Sequence, residues 1–174
     1  MRAGPSVSSA SRRRTIVASA PELWEIVADP HHQPRWWPGV ERVEGVSDGR
    51  FTQVLRTRRG RPIRVDFVIV EHAAPTMTVW RQELAGTPFA RVLAESQIQI
   101  NLAVVGGGTE VTVSQVQRLR GYSWTGGLML RRATGKRLDE ALDGLSRVTT
   151  GAASSSLGGV SPPGGGGSQT ADRA

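Results

Sequence analysis

No cysteine occurs among the 174 residues, which removes disulfides, thiolate nucleophiles and Cys-ligated zinc or iron–sulfur centres together. Histidine is nearly as scarce: there are three, two of them adjacent at His31 and His32, with no HExxH or HxH spacing. Neither a metal site nor any other cofactor is expected. Apolar runs are only a few residues long, far short of the roughly 20 that a helix needs to span a bilayer. Lysine is all but missing, since Lys136 stands alone among 22 basic residues. So uniform a use of arginine reads as a GC-rich coding sequence rather than selection for phosphate contacts, and no nucleic-acid partner is expected.

What remains is 38% hydrophobic and 21% charged, the balance of one soluble globular domain with a real core. The net charge of +7 is unevenly placed, because Arg2, Arg12, Arg13 and Arg14 open the chain with no acid among them. Residues 1–12 are small, polar or basic and read as a disordered basic arm, and residues 151–174, rich in Gly and Ser, as a disordered tail. The folded domain is expected over residues 13–150. The triplet Arg12-Arg13-Arg14 before Ala18-Ser19-Ala20 imitates an export signal, but only Thr15, Ile16 and Val17 lie between, where about 7 to 15 apolar residues are required. A cytoplasmic location is the expectation.

Within the domain, Arg13–Ala18 reads as a strand. Ser19 and Glu22 then form a capping-box pattern with Pro21 in the first turn of a helix carrying Leu23, Trp24, Ile26 and Val27. Asp29-Pro30 stops that helix and starts a second short one toward Trp36-Trp37. Six alternating segments follow, at 40–46, 50–57, 63–70, 77–84, 91–104 and 109–119, separated by short turns that imply an antiparallel meander. After Gly121 the period returns to helical through Leu128, Leu138, Ala141, Leu142, Leu145 and Val148, weakened by Gly126, Gly127, Gly135 and Gly144. The reading is an α+β domain: a strand, two short helices, six strands, and a long helix that a curved seven-stranded antiparallel sheet must cover.

These residues resemble the START-like or SRPBCC superfamily, in particular its bacterial polyketide cyclase/dehydrase type. The match runs from Ile16-Val17-Ala18-Ser19-Ala20-Pro21 into Leu23-Trp24 and Val27-x-Asp29, through Pro34-x-Trp36, Val43-Glu44, Glu71 with Pro75, and Gly108-Thr109-Glu110-Val111-Thr112, to Leu142 and Leu145. The resemblance implies a helix-grip fold, its sheet wrapped around the C-terminal helix with a cavity for an apolar ligand between them. Family functions range over lipid transfer, hormone sensing, polyketide cyclisation and coenzyme Q chaperoning, so the fold alone does not select one.

The last hairpin yields a site independently. Val92, Ala94, Ile98, Ile100 and Leu102 put the apolar face of one strand on even positions, and Val111 and Val113 put that of the next on odd ones. Matching the two faces requires Val104 opposite Thr109, hence Leu102 by Val111, Ile100 by Val113, Ile98 by Gln115 and Ser96 by Gln117. Ser96, Gln115 and Gln117 then face inward, available to each other, to water, or to the polar end of a ligand. Ile98, Phe67 and Trp80 are core residues first, with cavity lining as the alternative. Trp24 reads as a core anchor. Trp36 and Trp37, being adjacent, should split, one inward and Trp37 near the cavity rim, and Phe89 lies by a flexible loop at the expected entrance. The candidate ligand contacts are thus Trp37, Phe67, Trp80, Phe89, Ser96, Ile98, Gln115 and Gln117.

Catalytic residues are not identified; Asp66, Glu71, His72 and Glu83 are the acid–base candidates, and solvent-facing positions are their bland alternative. Arg50, Arg56, Arg58, Arg59, Arg61 and Arg64 form a cluster without an acid in its own hairpin. It reads as a solvated edge, or else as an attractor for an anionic ligand, an acidic partner or a membrane surface. The leading function is binding of a small lipid, isoprenoid or polyketide-like aromatic. A cyclase/dehydratase and a non-catalytic interaction module using the Arg-rich hairpin are the alternatives, and the oligomeric state is left open.

Overall fold

In the computed structural model, which describes residues 6–57, 60–121 and 124–156, the chain runs β1 (Ser6–Ile16), α1 (Ala20–Ala28), a 3-10 turn (Pro30–His32) and α2 (Gln33–Trp36). It continues with β2 (Val40–Ser47), β3 (Arg50–Arg56), β4 (Pro62–Ala73), β5 (Met77–Gln82), a second 3-10 turn (Pro88–Arg91), β6 (Leu93–Val105), β7 (Gly108–Leu119) and α3 (Trp124–Ser156). One seven-stranded antiparallel sheet results, in the order β1-β7-β6-β5-β4-β3-β2. Register shifts in β2, β4 and β6 bend the strands locally, the usual effect of an extra residue in an antiparallel pair.

Local chemistry places the first helices as the sequence suggests. The Ser19 N–H donates to Glu22 at 2.8 Å and the Glu22 N–H donates to the Ser19 hydroxyl at 3.4 Å, closing the capping box. The Ser19 hydroxyl, donating to the Glu22 carboxylate at 2.7 Å, and then the Ser19 N–H hold that carboxyl below its ordinary pKa. Asp29 accepts from the His31 N–H at 2.9 Å and starts the 3-10 turn. The β6–β7 register is Val104↔Thr109, Leu102↔Val111, Ile100↔Val113, Ile98↔Gln115 and Ser96↔Gln117, as the alternation requires.

Two boundaries differ from expectation. Ser6–Arg12 is not an arm but the first part of β1, paired with β7 from Ser6↔Leu119 onward. Its inward residues Ser8 and Ala10 are buried yet small, so they carry little hydrophobic signal while leaving room for the helix above. Similarly, α3 continues through Ser156, six residues into the segment read as a tail; residues 157–174 and 1–5 lie outside the described residues.

Two of the glycines that weaken α3 by propensity, Gly135 and Gly144, sit where no side chain would fit without a shift. A Cβ on Gly144 would overlap the backbone of Trp36, and one on Gly135 would overlap the Arg12 guanidinium. Between and beside them Leu138, Ala141, Leu142 and Leu145 are almost fully buried, each leucine contributing about 1.5–3 kcal/mol. Ion pairs from β1 flank this seat, Arg12 to Asp139 at 3.0 Å and Arg14 to Asp143. Gly144→Ala is therefore expected to destabilise the fold by about 1–3 kcal/mol through overpacking. Gly151→Ala, where a Cβ meets nothing, should be neutral or slightly stabilising, and urea unfolding of the two variants checks the difference.

Candidate functional site

The interior between sheet and α3 is filled unevenly. Under the α2 end lies an aromatic cluster: Trp37 edge-on to Trp36 at 5.2 Å and to Trp80 at 5.6 Å, with Phe51 stacked on Phe67 at 5.3 Å and edge-on to Trp80 at 5.5 Å. Toward the other end the packing stops at a cavity of about 420 Å³. Leu55, Val65, Phe67, Leu93 and Ile98 of the sheet, Phe89 and Val92 at the second 3-10 turn, and Leu130 of α3 form its apolar walls. Its polar groups are Gln53, Gln82, Gln115, Gln117 and Arg137. Two larger hollows, about 660 and 640 Å³, lie on the outside along β1 and α3 and are lined mainly by charged and hydroxyl side chains, Arg14, Asp143 and Arg147 in one and Arg12, Arg131 and Arg132 in the other. They offer an apolar ligand no comparable wall.

The amides are built into the wall. Gln115 donates to the Ser96 hydroxyl at 3.3 Å, and the Thr134 hydroxyl on α3 donates to the Gln117 carbonyl at 3.3 Å. Gln53, fully buried on β3, donates to the carbonyl of Gln33 at the start of α2 at 2.8 Å. That pair leaves Gln53 Oε1 and Gln33 Nε2 without hydrogen-bond partners among the described residues. Arg137 has its guanidinium 5.7 Å from the centre of the Trp37 ring, and burial pushes its pKa down, Glu140 opposing in part.

Of the residues singled out in the sequence, Phe67, Phe89, Ile98, Gln115 and Gln117 lie on the cavity wall, and Ser96 stands behind Gln115. Trp37 and Trp80 do not line it; they belong to the core, 2% and 1% exposed. The expected split between Trp36 and Trp37 fails because α2 ends between them. Trp36 is the last helical residue and Trp37 is extended (φ −86°, ψ 124°), so the chain reverses direction and both indoles turn inward.

Gln53 and Arg137 escaped the sequence reading, although both carried a signal. Gln53 falls on the inward odd positions of β3 between Phe51 and Leu55, and Arg137 on the α3 stripe of Leu130, Thr134 and Ala141. The acid–base candidates are elsewhere: Asp66 accepts from Thr52 at 2.6 Å, Glu83 from Arg50 at 2.7 Å, Glu71 is exposed, and the exposed His72 packs on Trp24 at 4.9 Å. Among the described residues no cluster of three or more His, Asp or Glu suits a metal, and no helix is long and apolar enough to cross a membrane. Of the arginine cluster, acid-free between residues 50 and 64, three members find acids across the sheet, Arg56 with Glu41, Arg64 with Glu44 and Arg50 with Glu83, while the exposed Arg61 is in no ion pair among the described residues. Arg58 and Arg59 lie outside the described residues.

Comparison with known proteins adds the family. Residues 8–149 match the model for "Polyketide cyclase / dehydrase and lipid transport". The chain belongs to that family. Its fold is START-like, as solved structures bear out. A START superfamily protein from Mycobacterium smegmatis superposes with a TM-score of 0.62 at 12% identity, over 80% of this chain and 94% of that one. SA2116 from Staphylococcus aureus, of unknown function, gives 0.71 at 11% identity over 87% and 98%. The di-domain ARO/CYC BexL from the BE-7585A biosynthetic pathway gives 0.66 at 16% identity over 81% of this chain and 49% of that one, so the chain spans about half of that protein. No curated protein matches the sequence. Family membership and fold support a ligand-binding or cyclase role.

The Gln33–Gln53 pair allows a test of how the wall is held. Gln53→Leu should cost about 1–3 kcal/mol, because it leaves the buried Gln33 amide with no partner at either end. The double variant Gln33→Leu/Gln53→Leu should recover most of that loss, and chemical denaturation of both measures it.

Proposed function

We propose that the protein binds a small amphipathic molecule, a lipid, isoprenoid or polyketide-like aromatic, in the cavity between β3–β7 and α3. The observation that carries this reading is a space of about 420 Å³ with predominantly apolar walls and a few convergent polar side chains. Ligand pockets share that character and fall within roughly 300–1,000 Å³. An interior that served stability alone would close such a space, since unfilled volume forfeits packing. Binding is favoured over cyclisation because a proton-transfer step needs an acid or base within reach of the ligand. No carboxylate or imidazole lines the cavity among the described residues, and Asp66, Glu71, His72 and Glu83 sit away from it.

Mass spectrometry of material that copurifies with the protein, with thermal shift against farnesol, decanol and 2-naphthol, tests the proposal. At least one of these neutral probes should raise the melting temperature. Val65→Trp, which fills the cavity from the sheet side, should weaken that probe about tenfold or more while leaving the circular dichroism spectrum folded. Absence of any copurified molecule together with no shift from any probe would overturn the reading.

A further inference from the structure

Arg137 is an anomaly in the wall of this cavity. Several other arginines are matched with acids at the surface, Arg12 with Asp139, Arg50 with Glu83, Arg56 with Glu41, Arg64 with Glu44 and Arg118 with Glu95, and those in no ion pair among the described residues, such as Arg13, Arg35, Arg81 and Arg91, are exposed. Arg137 is partly buried, lines an apolar space, and has neither a carboxylate nor a hydrogen-bond acceptor among the described residues. Glu140, one turn on, acts on it through space but lies beside Lys136 at 3.8 Å. An arginine stays protonated under all ordinary conditions, and a desolvated charge without a counter-ion is costly.

The surroundings prepare that charge for a guest. The guanidinium carbon lies 5.7 Å from the centre of the Trp37 ring, a cation–π contact that uses none of the N–H donors in a hydrogen bond. The N–H donors in its plane are left unspent. Thr134, three residues earlier on the same face of α3, donates to the carbonyl of Gln117, so the donor end of that amide also lacks a protein partner among the described residues. Arg137 and Gln117 line the same cavity, and a guanidinium fork together with an amide donor suits a carboxylate, which takes two parallel N–H bonds and can accept a third.

We infer that Arg137 makes the cavity selective for amphiphiles whose polar end is a carboxylate, with the apolar body lying against Phe67, Phe89, Leu93 and Ile98. The inference rests on the cavity being a ligand site and adds the chemical class of the ligand. Arg137 is then the residue that determines specificity, with Trp37 holding its guanidinium from the core side and Gln117 offering a further donor on the cavity wall.

Calorimetric titration with two matched sets of probes at neutral pH tests it: decanoate against decanol and methyl decanoate, and 2-naphthoate against 2-naphthol. The wild-type protein should bind at least one carboxylate about 10 to 100 times more tightly than its neutral counterpart, the value of hydrogen bonds to a charged group. Arg137→Gln should abolish that preference while changing the affinity for the neutral member of the set by no more than about threefold, and Arg137→Lys should restore part of it. Neutral probes binding the wild-type protein as tightly as the acids would overturn the selectivity and leave the cavity reading standing. No binding by any of the five overturns both. If Arg137→Gln loses acid and neutral probe equally, the arginine is only part of the wall and the inference fails; the wild-type comparison decides the matter even where the variant does not fold.

Discussion

The seat of α3 is the constraint on which the rest of this structure depends. The helix is pulled close to the α2 backbone at Gly144 and takes the Arg12 guanidinium of β1 against Gly135, and Leu138, Leu142 and Leu145 are buried around those contacts. A straight helix over a curved sheet cannot maintain that distance along its whole length. Near α2 the gap is closed by three indoles and two phenyl rings; farther along it is not closed, and the cavity is what remains. Close packing at one end and open space at the other are therefore two consequences of one docking geometry.

The inner face of the sheet also departs from the simplest way to stabilise a fold. Gln53, Gln115 and Gln117 occupy inward positions where Val, Ile or Leu would gain hydrophobic energy without polar cost. Their hydrogen bonds to Gln33, Ser96 and Thr134 recover only part of each amide's capacity. Together with the Arg137 guanidinium they add polar groups to the wall of an otherwise apolar space. Buried polar groups that are incompletely satisfied are expected where a binding role outweighs stability.

The outer surface shows the opposite economy. Arg50, Arg56 and Arg64, which look unopposed along one hairpin, are matched by glutamates from β2 and by Glu83 beyond β5. Arg56 contacts Glu41 through two nitrogens at 2.9 and 2.5 Å, which holds the Glu41 carboxyl below its ordinary pKa. Such exposed pairs add little stability individually, but they spend the charges that an acidic partner would need. The difference between these arginines and Arg137 is what gives the latter its meaning.

Features governed by neighbours in the chain were legible without the structure. The capping box needs only Ser19 and Glu22, the meander only alternation and turns, and the β6–β7 register only two apolar faces that have to coincide across a short glycine turn. That register alone put Gln115 and Gln117 inside. What depends on partners remote in sequence was not legible: the extension of β1 back to Ser6 is held by β7, the burial of both Trp36 and Trp37 by the end of α2 under α3, and the pairing of the hairpin arginines by strands that lie beside them only in the sheet. Arg137 belongs with these. Its place on a helical stripe follows from the 3.6-residue period, but that the stripe faces a cavity and offers no acid is settled only when sheet, α2 and helix are assembled. Period and turn chemistry act over a few residues, whereas burial and charge matching are properties of the packed whole.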